Sequence, residues 1–151
     1  MSTTSFAANP AIHHRLLIEK SPDILYAALT TQEGLSSWWT PDTIALPEIG
    51  SVSRFSFGPD YYKELEVVDL VPGKLVKWQC IKGFQDWLDT VMTFELESHP
   101  KGTVLLFHHE GWKASSNEVA SCSFDWALFL RSLKWLCETG KGFPYPEFNK
   151  V

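Results

Sequence analysis

Positive charge and long apolar runs are both scarce in this 151-residue sequence. It has 13 Lys and Arg against 18 Asp and Glu, which gives a net charge of −5 at pH 7. A chain without an overall basic field binds phosphate backbones poorly, so nucleic acid is not an expected partner. No apolar run approaches the roughly 18 residues of a membrane-spanning helix, so a membrane span is not expected either.

Cysteine is also scarce. Cys80, Cys122 and Cys137 are an odd number and show no C-x-x-C spacing, which favours reduced thiols in the cytoplasm over a disulfide-bonded secreted protein. Zinc-ligand spacing, a phosphate-binding loop, a dinucleotide fingerprint and a nucleophile elbow are missing from the sequence. We therefore expect neither a metal nor a cofactor.

Residues 1–10 have no basic segment followed by an apolar one, so they do not resemble a secretory signal. We expect a short disordered lead over 1–10 and a single domain over 11–151. The remaining length fits one domain of the usual 100–200 residues, as a rough guide.

Aromatic residues, by contrast, are abundant. The chain has 10 Phe, 7 Trp and 4 Tyr, or 14% of its residues. This is more ring surface than a core of this size usually needs. The surplus predicts an unusually aromatic core, an apolar pocket or an interface.

The pattern along the chain predicts one strand, two helices, a run of strands and a long last helix. Alternation over 12–19 predicts the first strand, and Ser21-Pro22 opens a helix that ends near Thr30. A short second helix is expected before Pro41. Alternating segments between turn residues predict five further strands, near 51–57, 61–71, 74–82, 88–97 and 103–110.

The last predicted element is an amphipathic helix of about six turns. Ser115 and Glu118 fit a capping box at its start. Apolar residues then recur at steps of three and four from Val119 to Cys137, and Gly140 fits a left-handed C-cap. A single antiparallel sheet has one apolar face to cover, and this helix is the available cover.

Several short motifs now point to a known family. They are Ser21-Pro22, Ala28-Leu29-Thr30, Trp38-Trp39 and, towards the end, His109-Glu110-Gly111-Trp112 and Glu138-Thr139-Gly140-Lys141-Gly142. In this order and spacing the sequence resembles the START-like (SRPBCC) helix-grip superfamily, in the branch named for the activator of heat-shock protein 90 ATPase homologue. The resemblance implies an α+β fold: a curved antiparallel sheet of six to seven strands wrapped on a long C-terminal helix, with two short helices after the first strand.

The resemblance also implies a deep apolar pocket between the sheet and the C-terminal helix. The residues expected around it lie on the inward faces of these elements, with two tryptophans, Trp38 and Trp39, near its mouth. The full set is Trp38, Trp39, Phe55, Phe57, Trp78, Thr90, Met92, Phe94, Leu106, His108, Trp126, Phe129, Leu130 and Leu133. Trp87 and Trp112 are expected at the rim or at a partner surface.

Candidate catalytic groups are His108, His109 and Glu110. Neighbouring residues of a strand point to opposite faces, so only one of the two histidines can face the pocket, and the alternation leaves open which one. His108 and Glu110 share a face and would suit acid–base chemistry. Glu64 and Glu66 fit a solvated strand face, and Arg54 and Arg131 are possible anchors for an anionic ligand.

Three functions from different classes remain open. The first is a binding protein for a small apolar or aromatic molecule. The second is a cyclase, isomerase or hydrolase that uses the same pocket. The third is a protein–protein module that regulates a chaperone or similar partner. Both a monomer and a homodimer fit the sequence.

Overall fold

The computed structural model describes residues 9–150, and helices and strands account for most of them. The strands are β1 (Ile12–Ile18), β2 (Thr43–Ile44), β3 (Val52–Ser56), β4 (Tyr62–Val71), β5 (Leu75–Lys82), β6 (Val91–His99) and β7 (Gly102–Glu110). The helices are α1 (Pro22–Thr30), α2 (Gln32–Trp38) and α3 (Asn117–Thr139). Single 3₁₀ turns cover Gln85–Trp87 and Glu147–Asn149.

The strands form one antiparallel sheet in the order β1-β7-β6-β5-β4-β3-β2. Strands β2 to β7 are successive hairpin neighbours, and β1 closes the far side against β7. Antiparallel neighbours need only short turns, and the turn residues between the predicted strands supply them. The predicted α+β helix-grip fold is confirmed.

Helix α3 covers the inner face of the sheet. Its buried stripe includes Trp126, Phe129, Leu130, Leu133 and Cys137, at the helical spacing seen in the sequence. Gly140 ends the helix with a φ of 87°, the left-handed conformation expected of it.

The start of α3 differs from the predicted capping box by one residue. The N-cap is Ser116, whose hydroxyl accepts from the Val119 backbone N–H at 3.3 Å. Glu118 is then the second helical residue rather than the third, so the reciprocal bond of a capping box is not formed.

The strand predicted over 88–97 begins later and extends further. Residues 85–87 form a 3₁₀ turn, and Asp89 takes a φ of 68°, so the regular strand starts only at Val91 and continues to His99. The two-residue edge strand β2 was not predicted, because two residues carry no readable alternation.

The four tryptophans expected at the mouth or rim of the pocket, or at a partner surface, are buried. Trp38 is 0% exposed, Trp39 and Trp112 are 1% exposed, and Trp87 is 8% exposed. Trp38 and Trp112 are therefore core residues, and neither lies at a mouth, a rim or a partner surface. The one polar group of the buried Trp38 side chain has a partner, because its indole N–H donates to the Ala28 carbonyl at 2.8 Å.

Most of the predicted N-terminal lead, residues 1–8, lies outside the described residues. Across residues 9–150, no helix is both long enough and apolar enough to cross a membrane.

Gly34 sets the close packing of α2 on α1, and this leads to a test. A Cβ at this position would lie 2.6 Å from the Ala28 Cα and 2.8 Å from its carbonyl oxygen. Alanine gains ~1 kcal/mol of helix propensity over glycine, but a clash with backbone atoms cannot be relieved by a rotamer change. We expect Gly34→Ala to lower the free energy of unfolding by about 1–3 kcal/mol, measured by urea denaturation. Ser36→Ala on the same helix is the control and should change it by less than about 0.5 kcal/mol; an unchanged Gly34→Ala would contradict the packing argument.

Candidate functional site

A cavity of about 360 Å³ opens between one part of the sheet and α3. We call it the aromatic cavity. Its lining residues come from the residue after α2, the connection between β3 and β4, β4 itself, the turn before β6, α3 and the C-terminal segment. They are Trp39, Phe57, Tyr61, Lys63, Phe84, Asp86, Trp87, Glu118, Ser121, Cys122, Asp125, Trp126, Phe129, Tyr145 and Phe148.

Two neighbouring tryptophans, Trp39 and Trp126, limit how far the cavity extends over the sheet. The Trp39 ring lies 4.4 Å from Phe55 and 5.7 Å from Trp78, between ring centroids. The centroid of the Trp126 ring lies 4.4 Å from that of Phe107. These contacts fill the space above the middle of the sheet and leave the cavity at one end of it.

The residues predicted to surround the pocket therefore divide into three groups. Four of them line the aromatic cavity: Trp39, Phe57, Trp126 and Phe129. Eight are buried without lining it: Trp38, Phe55, Trp78, Thr90, Met92, Phe94, Leu130 and Leu133. The last two, Leu106 and His108, are only half-buried and lie on the outer face, because Leu105, Phe107 and His109 take the inner positions of β7.

His109 is the histidine that points inward, and it is fully buried. Its Nδ1 accepts from the Trp126 indole N–H at 3.0 Å. Because indole can only donate, this nitrogen carries no proton, and the protonated Nε2 donates to the Thr90 hydroxyl at 2.8 Å. Thr90 donates in turn to the Trp87 carbonyl at 2.6 Å.

This bonding makes His109 a structural group rather than an acid–base group. Burial, with a smaller contribution from the positive charge of Lys63, lowers the pKa of His109 to about 3. The imidazole is therefore neutral at physiological pH, and both ring nitrogens are already engaged. The other two catalytic candidates do not join it: Glu110 is exposed and His108 lies on the opposite face.

His108 belongs to a small cluster on the outer face of the sheet. Its Nδ1 lies 2.7 Å from the Nδ1 of His13, and its Nε2 lies 3.1 Å from a carboxylate oxygen of Glu95. His14 lies on the inner face instead, with its Nε2 3.2 Å from the Ser123 carbonyl of α3. No group of three His, Cys, Asp or Glu residues in the described part of the chain is arranged to hold a metal ion.

Lys63 is the most informative of the cavity residues that were not predicted from the sequence. It lies on β4 at an inward position, followed on the same face by Leu65 and Val67, and it is only 7% exposed. The signal was present, since the alternation that places Glu64 and Glu66 outside also places Lys63 inside. A lysine at an apolar position of an alternating strand is rare enough to mark a site.

Rings surround the Lys63 ammonium. Its Nζ lies 3.5 Å from the ring centroid of Trp87 and 4.8 Å from that of Phe57. Burial lowers the pKa of Lys63 to about 8, opposed by the nearby Cys122, Cys80 and Asp125 side chains. Burial also raises the pKa of Cys122 to about 12 and shifts that of Asp125 upward. The thiol is therefore protonated and unreactive at neutral pH.

The C-terminal segment closes one side of the aromatic cavity. The Tyr145 backbone N–H donates to the Trp39 carbonyl at 2.8 Å, and the Phe148 ring stacks on Phe129 at 3.9 Å between centroids. These aromatic tail residues thus pack on their own chain. The two arginines considered as anion anchors lie elsewhere: Arg54 pairs with Glu64, and Arg131 packs on Trp135.

Comparison with known proteins identifies the family. The family model described as Activator of Hsp90 ATPase homolog 1-like protein (AHSA1) matches residues 19–138. The chain belongs to the AHSA1-like family. The Aha1 dimer from Colwellia psychrerythraea, solved in solution, is 38% identical, with 88% of this chain and 99% of that chain covered and a TM-score of 0.81.

More distant solved structures share the AHSA1-like fold. Protein MLL2253 from Mesorhizobium loti is 22% identical over 84% of this chain and 96% of its own, with a TM-score of 0.74. The AHSA1-like protein from Aeromonas hydrophila is 11% identical over 87% of this chain and 94% of its own, with a TM-score of 0.71. At these identities the likeness shows the fold alone. No curated protein matches the chain.

The electrostatics of this AHSA1-like cavity predict that Lys63 costs stability. Its pKa of about 8 lies below its ordinary value of 10.5. The unfolded chain therefore holds the proton more tightly, and the cost is full below pH 8 and disappears above pH 10.5. Cation–π attraction to the rings offsets only ~2 kcal/mol of it. At pH 7 we expect Lys63→Met to raise the free energy of unfolding by about 1–3 kcal/mol, with a gain that shrinks between pH 8 and 10.5.

Denaturant unfolding at several pH values measures this effect. Lys77→Met, a half-buried lysine of β5 outside the cavity lining, is the control and should change stability by less than about 0.5 kcal/mol at every pH. A Lys63→Met variant less stable than wild type at pH 7 would show that the rings outweigh the cost of burial.

Proposed function

We propose that this chain is a binding protein, and that it holds a small apolar or aromatic molecule in the aromatic cavity. We also propose that residues 11–151 form one domain. The observation that carries the proposal is the cavity of about 360 Å³ itself. Ligand pockets measure roughly 300–1,000 Å³ and are mostly lined by apolar and aromatic side chains, with a few polar groups. Here Trp39, Phe57, Trp126 and Phe129 provide ring surface, and Lys63 and Asp125 are polar.

The arrangement of the histidines favours binding over the enzymatic alternative. A cyclase, isomerase or hydrolase of the type considered would need a histidine and a carboxylate converging in the pocket. His109 instead spends both ring nitrogens on Trp126 and Thr90, and Glu110 is exposed. The AHSA1-like fold is consistent with a ligand-binding or regulatory module.

We also place the protein in the cytoplasm. All three cysteines are free, and burial raises the pKa values of Cys80, Cys122 and Cys137, which keeps the thiols protonated. Free buried thiols are typical of a reducing compartment.

A blocking variant tests the binding proposal. Ser121 lines the cavity from an exposed position on α3, so Ser121→Trp would put a large ring across the opening without disturbing the core. The neutral probe N-phenyl-1-naphthylamine, which fluoresces in apolar surroundings, should bind the wild type and lose at least about tenfold in affinity in Ser121→Trp, a change of ~1.4 kcal/mol.

Ala120→Trp is the matched control, because Ala120 is the exposed neighbour of Ser121 and does not line the cavity. It should bind the probe as wild type does. A wild-type protein that gives no probe signal, or equal binding in both variants, would contradict the proposal.

A specific observation supports a homodimer as well. The relative from Colwellia psychrerythraea is a dimer. In this chain Ile44, Leu46, Ile49 and Val52 are 60%, 57%, 61% and 48% exposed, and they lie within nine residues at the β2 edge of the sheet. Exposed apolar side chains grouped at a sheet edge mark interaction surfaces. We propose that this edge patch pairs with a second copy of the chain.

Light scattering coupled to size-exclusion chromatography tests the homodimer. The wild type should elute with the mass of a dimer and the double variant Leu46→Glu/Ile49→Glu with that of a monomer, because buried unpaired carboxylates disfavour association. Phe124→Ser, which removes an apolar side chain that is 68% exposed on α3, should leave the dimer intact. A monomeric wild type at tens of micromolar would rule out this interface.

A further inference from the structure

Lys63 has unused hydrogen-bonding capacity that faces the aromatic cavity. Lys63 is 7% exposed as a residue, and its ammonium carries three N–H donors. Among residues 9–150, no carboxylate lies within 4.0 Å of its Nζ, and no side-chain or backbone oxygen accepts a hydrogen bond from it. Buried charges in proteins are normally paired, so an unpaired one needs an explanation.

The surrounding rings stabilise the charge but leave the donors unmet. Besides Trp87 and Phe57, the rings of Trp39 and Tyr61 lie 5.6 and 5.7 Å from the Nζ. A ring face attracts a cation through its quadrupole, but it is a much weaker hydrogen-bond acceptor than an oxygen atom. An oxygen anion entering the cavity would meet three free donors and a full positive charge.

We propose that Lys63 binds the carboxylate of a small aromatic or apolar monocarboxylic acid, whose apolar part packs on the rings of the aromatic cavity. This inference rests on the proposed function, because it names the class of ligand for the same cavity. A charge-assisted hydrogen bond in a dry site is stronger than a neutral one, so the carboxylate supplies affinity as well as orientation.

Three acidic side chains limit the charge of the ligand. Asp86, Glu118 and Asp125 also line the cavity, and the first two are exposed. Their negative charge opposes anions, but water and salt screen exposed carboxylates much more than they screen the buried ammonium. A ligand with one carboxylate, held by Lys63, is therefore favoured over a ligand with two negative charges.

A pair of isosteric ligands tests the role of Lys63. 2-Naphthoate and 2-naphthamide have the same ring system and differ in the charge of one group, and both can be titrated against bound N-phenyl-1-naphthylamine. On the wild type we expect 2-naphthoate to bind at least about tenfold more tightly than 2-naphthamide. In Lys63→Met and in Lys63→Gln this ratio should fall to about one. Both ligands are compared on the same variant, so a change in probe affinity cancels from the ratio.

Lys77→Met, outside the cavity lining, should keep the wild-type ratio. Equal affinities of the two ligands on the wild type, or a ratio retained in both Lys63 variants, would overturn the inference and leave the proposed function standing. A wild type that fails to bind the neutral probe would overturn the proposed function, and this inference with it.

Discussion

The hydrogen bond from the Trp126 indole to His109 joins helix α3 to the sheet, and the cavity depends on it. From His109 the connection continues through Thr90 to the carbonyl of Trp87. The network therefore ties together a helix, the last strand and the turn that carries a cavity ring. It requires a neutral imidazole, which burial ensures by lowering the pKa to about 3, and a proton on Nε2, because Nδ1 accepts from the Trp126 indole. A histidine that holds this position is not available for proton transfer.

The rings divide into those that fill the core and those that leave a space. Over the middle of the sheet, Trp39 packs against Phe55 and Trp126 packs against Phe107, and these contacts leave no space for a ligand there. At one end, the lysine and the acidic residues replace apolar partners, and the space stays open. A charged group in a ring-lined wall is unfavourable for stability, and such sites are where proteins commonly trade stability for function.

Local patterns predicted most of the fold. The alternation of β4, β5 and β6 and the stripe of α3 were readable because each depends on a period of 2 or 3.6 residues within one element. The misjudged details depended on other segments. The strand predicted from residue 88 starts at Val91, because residues 85–87 turn inward to bury Trp87. The choice between His108 and His109 depended on which face of β7 met α3, which the alternation of apolar residues on both faces of that strand left open.

By itself, the sequence determined the order of the elements and the helix that covers the sheet, because hydrophobic periodicity and turn residues act locally. The helix-grip fold and the pocket between sheet and helix were expected from the family resemblance. Only the tertiary structure decided which rings border that space. Four of the fourteen predicted residues line the cavity, since a ring on the inner face is covered or left open according to what packs on it from distant parts of the chain. The inward position of Lys63 follows from the alternation of β4. That no oxygen within residues 9–150 accepts a hydrogen bond from its ammonium is a property of the assembled fold.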